Sequence, residues 1–271
     1  MHRYLGLILL LLAAACSESS SNNDAGTDED NPSDELGGDP SDAGPGDDEH
    51  EPDAQAPSHE VTCIDQSISG LMLFDVPVDD AIQEDTDMGE HFETLIDATG
   101  GGLAVTTSFT YVRFTEHGIE QVPLGDEDAF ESTAWHLALR RYVLRVNSGV
   151  AGPADVRVGR TAPMTDFEAL EEVPEELAYR VEEYFSEECD LVPDGSGLEA
   201  PGTALSSFWS YAGCVAMTGN VYVIDLGDGR AVKFEVLAYY SPESQQVCNE
   251  TDAVPMPSGA GNVRIRWAFL D

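Results

Sequence analysis

Apolar and polar positions alternate over several short stretches, and the alternation predicts strands. Ile68 to Val76 reads as a first strand, and Ala98-Thr99-Gly100-Gly101-Gly102 as a turn. Leu103 to Phe114 alternates and is rich in Val, Thr, Phe and Tyr, as suits a half-buried strand. His117-Gly118 turns the chain and Ile119 to Val122 starts back, so this pair predicts a hairpin. Trp135 to Val146 is read as one strand. Trp135, Leu137, Leu139, Arg141, Val143 and Arg145 take one face, and His136, Ala138, Arg140, Tyr142, Leu144 and Val146 the other. Asn147-Ser148-Gly149 ends it as a turn. Asn220 to Leu226 and Ala231 to Tyr240 flank Gly227-Asp228-Gly229, a strong hairpin signal. Val263 to Leu270 alternates again at the end of the chain.

The period changes once. Thr165-x-x-Glu168 has the form of a capping box before Phe167, Ala169 and Leu170. Pro174 suits a first helical position, and Leu177, Val181, Tyr184 and Phe185 recur at helical spacing. One or two short helices are expected there, ending before Cys189. The fold class is therefore all-β, mostly antiparallel, with a small helical insertion. No internal repeat is visible.

Residues 61–271 hold all of these elements and suffice for one sizeable core. The stretch before them has another character. Ser17 to about Glu60 has no Lys or Arg and almost no large apolar residue. It cannot bury enough apolar surface to offset its ordering entropy, and its like charges repel. Residues 16–60 are expected to be a disordered acidic tether. No Asp-x-Asp-x-Asp-Gly loop marks it as a calcium site.

Ahead of the tether, Arg3 precedes an apolar run from Leu5 to Ala15. The run is shorter than the ~20 residues that span a bilayer, and with its positive start it describes a secretory signal over residues 1–15. Leu12-Ala13-Ala14-Ala15-Cys16 resembles the lipobox of bacterial lipoproteins. The resemblance implies a diacylglycerol on the Cys16 thiol, cleavage before it and acylation of the new amine. Several buried acyl chains, at ~0.8 kcal/mol per CH₂, anchor a protein stably. Ser17 offers nothing that holds the protein at the inner membrane, so an outer-membrane lipoprotein is expected. Its membrane partner is reached through the lipid. The net charge of −40 speaks against nucleic-acid partners and against docking on anionic lipid.

An exported chain meets an oxidising compartment, so Cys63, Cys189, Cys214 and Cys248 are disulfide candidates with three possible pairings. Cys189–Cys214 with Cys63–Cys248 is the preferred one. It closes a moderate loop and ties the domain's start to its end.

Three blocks together are similar to the HmuY-like family of bacterial haem-binding lipoproteins. They are Ser108-Phe109-Thr110-Tyr111, the run Trp135 to Gly149, and Asn220 to Phe234 with its Val-Tyr strand, Asp-Gly turn and Lys233. In the second, Trp-x-ϕ-Ala-ϕ is followed by Arg-Tyr and Arg-x-Asn-Ser-Gly. The resemblance implies a β-structure that carries haem, or a related apolar small molecule, in a cleft through two axial side chains. The family's ligands fall after this second block. The histidines here are His2, His50, His59, His91, His117 and His136, all before it. No ligand transfers residue by residue.

Met217, Met164 and Tyr179 are the haem-ligand candidates, since thioether and phenolate also ligate haem iron. Core filling is the competing reading for the methionines. Phe208-Trp209-Ser210-Tyr211 is a pocket-lining or a core cluster. Arg140, Arg141, Arg145 and Lys233 either receive ligand carboxylates or pair structurally with the abundant acids, and the second is preferred. Glu90-His91 and Glu116-His117 are metal-contact pairs without visible further ligands. An enzyme is not expected, because no Gly-x-Ser-x-Gly elbow and no His-Glu-x-x-His helix is present. The competing expectation is a ligand-free interaction or structural module that kept the fold.

Overall fold

The computed structural model describes residues 56–102 and 104–271. The signal segment, Cys16 and most of the tether lie outside them. Two antiparallel sheets carry the molecule, joined by a small hairpin. The large sheet contains β1 (Ile82–Asp87), β2 (Phe92–Asp97), β7 (Arg157–Arg160), β8 (Tyr179–Arg180), β11 (Tyr222–Asp225), β12 (Ala231–Ala238) and β13 (Asn262–Leu270), in the order β1-β2-β13-β12-β11-β7-β8. The second contains β3 (Thr110–Thr115), β4 (Gly118–Val122), β5 (Leu137–Arg140) and β6 (Val143–Val146), in the order β4-β3-β5-β6. The hairpin pairs β9 (Trp209–Tyr211) with β10 (Val215–Met217). The helices are α1 (Ile64–Gly70) and α2 (Pro242–Thr251). Among the described residues no helix is long and apolar enough to cross a membrane.

The inner faces of the two larger sheets share one core. Val112, Phe114, Leu137 and Leu139 meet Val232, Phe234, Ile265 and Trp267 there, with Trp267 stacked on Phe92 at 4.7 Å. Each sheet is also covered on its outer face. Tyr111, Trp135, Ala138 and Tyr184 pack outside the smaller sheet, and Val221, Val223, Phe167 and Leu170 outside the larger. This explains the unbroken apolar run around β11. Tyr222 and Ile224 face one core while Val221 and Val223 face another, so no position is left for a polar residue.

The hairpins expected at Gly118 and at Gly227-Asp228-Gly229 are present, with Phe114 opposite Ile119 and Ile224 opposite Val232. The last strand is also as expected. Other expectations are corrected. Residues 68–76 form no strand: the chain leaves α1 and runs irregularly, with Leu71 and Leu73 on the outer cluster of the small sheet. The strand expected from Leu103 begins only at Thr110.

Trp135 to Val146 is not one strand. Arg141 takes a left-handed φ of 54° and the chain doubles back, setting Leu139 opposite Leu144. That reversal changes which side chains share a face. Arg145 lies opposite Ala138, so Arg140 and Arg145 point to the same side instead of opposite ones.

The helical insertion expected over residues 165–185 is absent. Both α-helices lie elsewhere. Glu171 with Glu175, and Glu172 with Glu176, would be like charges one helical turn apart, which disfavours a helix. Phe167 instead plugs the outer face of the large sheet beneath the Lys233 and Arg266 cations, at 4.7 and 4.3 Å from its ring centre. Thr165 donates its hydroxyl to the Ala162 carbonyl rather than capping a helix.

The disulfide preference is also corrected. Cys63 bonds Cys189, and Cys214 bonds Cys248. The first ties the start of the domain to the stretch just after the segment that would have been helical. The second clamps β10 to α2.

Candidate ligand groove

The smaller sheet turns its outer face to a buried polar hub. Asp126, on the loop after β4, accepts from the Phe74 and Phe109 amides at 2.9 and 2.8 Å and from the Tyr111 hydroxyl at 2.8 Å. Arg140 reaches the same carboxylate at 3.3 Å, donates to the Leu71 carbonyl and lies 4.1 Å from the Phe109 ring centre. Arg145 is wholly buried and donates to the Tyr111 and Tyr184 hydroxyls at 2.6 and 3.4 Å. Glu182 is buried beside them and accepts from the Val146 and Ala204 amides at 2.9 and 3.0 Å. Burial pushes its carboxyl up to about 7, against the pull of those two amides. Arg140 therefore pairs structurally with an acid, as preferred from the sequence, whereas Arg145 is held by tyrosine hydroxyls instead of an acid. Lys233 also serves the fold, donating to the Phe167 carbonyl at 3.1 Å.

A cleft opens beside the tip of the β5–β6 hairpin, between Leu71, Phe109, Arg140, Tyr142 and Leu198. Its volume of about 210 Å³ is below the roughly 300–1,000 Å³ usual for small-molecule sites. A second depression, of about 440 Å³, lies within that range. Arg160, Asp194, Ser196, Trp209, Tyr211 and Asn220 line it. Two others of similar size present little aromatic surface and no unpaired cation. One carries Asp128 and Glu131, and the other is lined by Arg264, already bonded to Glu84 at 2.7 Å.

The wall of the groove is firmly held. β10 is fixed through the Cys214–Cys248 bond, and Gln245 and Asn249 of α2 bond the Val215 carbonyl and Met217 amide at 3.0 Å each. Trp209 packs on Tyr142 at 5.1 Å. Asn220 and Thr218 both donate to the Ser207 carbonyl, at 2.7 and 2.8 Å, and close the floor.

Arg160 stands opposite Tyr222 in the sheet, and Arg180 opposite Val158. These four side chains share a face. Both arginines are exposed, and neither side chain makes an ion pair or hydrogen bond among the described residues. The buried Tyr222 hydroxyl and the Trp209 indole N–H also lack a hydrogen-bond partner among the described residues. Burial raises the Tyr222 pKa, and the Asn220 side chain and the two arginines work against that rise. The arrangement offers aromatic surface, a cation and hydroxyl donors at one opening.

A family model described as HmuY protein matches residues 105–251. The chain belongs to the HmuY family. Several solved structures are similar to it, among them three of low identity. One is a protein of Bacteroides fragilis described as a lipoprotein, 14% identical over 68% of this chain and 91% of that one, with a TM-score of 0.42. Another is a protein of Bacteroides vulgatus described as HmuY-like and haem-binding, 17% identical over 72% and 96%, with a TM-score of 0.41. The third is the apo HmuY analogue of Tannerella forsythia, 16% identical over 71% and 100%, with a TM-score of 0.39. No curated protein matches the chain.

Within this HmuY-family fold the three ligand candidates sit on separate elements. Met217 ends β10 opposite Trp209 and packs against the main core, next to the groove. Met164 is 97% exposed on the turn after β7. Tyr179 lies on β8 among the outer cluster of the large sheet, with the Arg157 guanidinium 5.3 Å from its ring centre. The groove is thus adjacent to one candidate and is lined by neither of the others. Phe208-Trp209-Ser210-Tyr211 divides between both expected roles: Phe208 and Trp209 are core, while Trp209, Ser210 and Tyr211 line the groove.

His136 is a packed residue. Its Nδ1 accepts from the Phe114 amide at 3.1 Å, and burial pulls its pKa down to about 4. His91 sits 3.8 Å from both Glu93 and Glu168. The described residues hold no cluster of three or more His, Cys, Asp or Glu suited to a metal. Arg160 was not singled out from the sequence. β7 has four residues and no periodic pattern, so nothing in it distinguishes an arginine at a groove from one at a surface.

Proposed function

We propose that this HmuY-family chain is a non-enzymatic carrier. It holds haem, or a related flat apolar ligand bearing carboxylates, in the groove of Arg160, Trp209 and Tyr211. It works at a membrane surface, tethered by a lipid on Cys16. The observation that carries the reading is an unpaired guanidinium beside aromatic side chains in an opening of ligand size. Such a pairing suits a planar body with an acidic edge. Haem has that form, and family membership supports it.

Titration of the purified domain with haemin, followed by the Soret band and tryptophan emission, tests the proposal. Saturable binding is expected. Arg160→Ala should weaken it about 10-fold or more, since a hydrogen bond to a charged group contributes about 1.5–3 kcal/mol. Absence of saturation in both redox states would leave the ligand-free module as the better account. For the anchor, radiolabelled palmitate should enter the wild type and not Cys16→Ala. Equal labelling of both would remove Cys16 from the proposal.

A further inference from the structure

The molecule carries 52 Asp and Glu against 12 Lys and Arg. A cation in such a chain has many possible carboxylate partners. Arg113, Arg140, Arg157 and Arg230 each take one, and Arg264 and Arg266 take two apiece. Arg145 takes tyrosine hydroxyls, and Arg141 and Lys233 take backbone carbonyls. Arg160 and Arg180 alone among the described cations make neither an ion pair nor a hydrogen bond.

These two are not scattered. Arg180 lies opposite Val158, two positions from Arg160 along β7, so the pair sits diagonally on one face, a relation of roughly 7–8 Å in an antiparallel ladder. Asp194 lines the same groove and still does not pair with Arg160. Its Oδ1 accepts the Ser196 amide at 2.9 Å instead. Arg160 is exposed at the groove and open to the carboxylate of an incoming ligand, while Arg180, which interacts electrostatically with the buried Glu182, stands one diagonal away from it at the surface.

The donors that would hold an iron are of a different kind. Haem iron is held by imidazole, thiolate, thioether or phenolate. Of these types, the described lining contains only Tyr211, which is 44% exposed. Met217 is next to the groove but packs on the main core. The donor set fits the edge and plane of a porphyrin and does not fit its metal.

Resting on the groove reading above, we infer that this site recognises its ligand through the carboxylates and the flat ring, not through the iron. A metal-free dicarboxylate porphyrin then occupies it as well as haemin does. The two acids meet Arg160 and Arg180, the ring lies against Trp209 and Tyr211, and the hydroxyls of the groove bond the acid oxygens that the arginines leave over.

The experiment compares haemin with protoporphyrin IX, using tryptophan quenching as a common readout. Trp209 lines the groove and is the indole nearest a bound ring, and quenching that falls in Trp209→Phe would locate the ligand there. The two dissociation constants should agree within about 10-fold, a difference of about 1.4 kcal/mol. Arg160→Ala with Arg180→Ala should weaken both ligands by a similar factor, while Tyr211→Phe and Met217→Ala leave the haemin Soret maximum unchanged. Haemin binding with protoporphyrin IX more than about 10-fold weaker would overturn the inference and leave the groove reading standing. So would a Soret shift in either single variant. If neither porphyrin saturates the protein, the groove reading falls and the inference with it. Circular dichroism of each variant shows whether a loss reflects misfolding, and Arg160→Lys, which keeps the charge, should regain part of the binding.

Discussion

Asp126 shows how one side chain can organise a region with few other polar resources. It satisfies two amides, a phenol and a guanidinium at once. Removing it leaves Arg140 as an uncompensated cation, 6% exposed, together with the buried Phe109 amide and the part-buried Phe74 amide. Asp126→Ala is expected to cost about 3–5 kcal/mol, read as a fall in the denaturant midpoint. A loss under about 1 kcal/mol would mean that water reaches Arg140. Asn220→Ala should do less, since Thr218 still bonds the Ser207 carbonyl. At this scale the chemistry of the arginines was partly legible. Their rarity in an acidic chain pointed to pairing. Which ones stayed unpaired was invisible, because pairing depends on residues brought from other elements.

Elements with a local cause were readable, and those with a distant cause were not. The Gly227-Asp228-Gly229 turn and its flanking strands follow from glycine's access to positive φ and from alternating side chains. The reversal at Arg141 has no such mark, since an arginine at φ 54° is held there by its surroundings. Strand β1 reads Ile-Gln-Glu-Asp-Thr-Asp and is largely exposed at the sheet edge, so it carries almost no apolar signal. α2 has little apolar periodicity and is held by Cys248, Gln245 and Asn249.

The clamp on α2 gives the test at this scale. Cys214–Cys248 spans 34 positions, and chain-entropy arguments assign such a cross-link about 4 kcal/mol. Cys214→Ala with Cys248→Ala should lower the unfolding midpoint and loosen the groove wall. Faster amide exchange is expected at Val215 and Met217. Unchanged exchange there would show that α2 holds β10 without the bond.

Two buried titratable groups act on the whole molecule in opposite directions. The Glu182 carboxyl titrates near 4.5 when unfolded and about 7 when folded. Between those values the native state holds the extra proton, so stability falls as pH rises, by about 3 kcal/mol in all. His136 titrates near 6.5 unfolded and about 4 folded. There the unfolded state holds the extra proton, so its contribution grows as pH rises, by about 3 kcal/mol. Over the shared window the two largely cancel. Stability measured against pH for wild type and Glu182→Gln should therefore diverge. From pH 4.5 to 7 the wild type should lose ground steadily to the variant. Parallel curves would show that Glu182 is ionised in the fold across that range.

The alternation of apolar residues and the glycine-marked turns were enough to establish a mostly antiparallel β-protein, because strand period and turn conformation are properties of neighbouring residues. The acidic balance likewise showed that each cation would have many possible partners. The pairing of the four cysteines, the reversal that turned Arg140 and Arg145 to one side, and the gathering of Arg160, Trp209 and Tyr211 around one groove came only with the folded chain. Each depends on which strands lie side by side, and that is settled by packing two sheets about a common core.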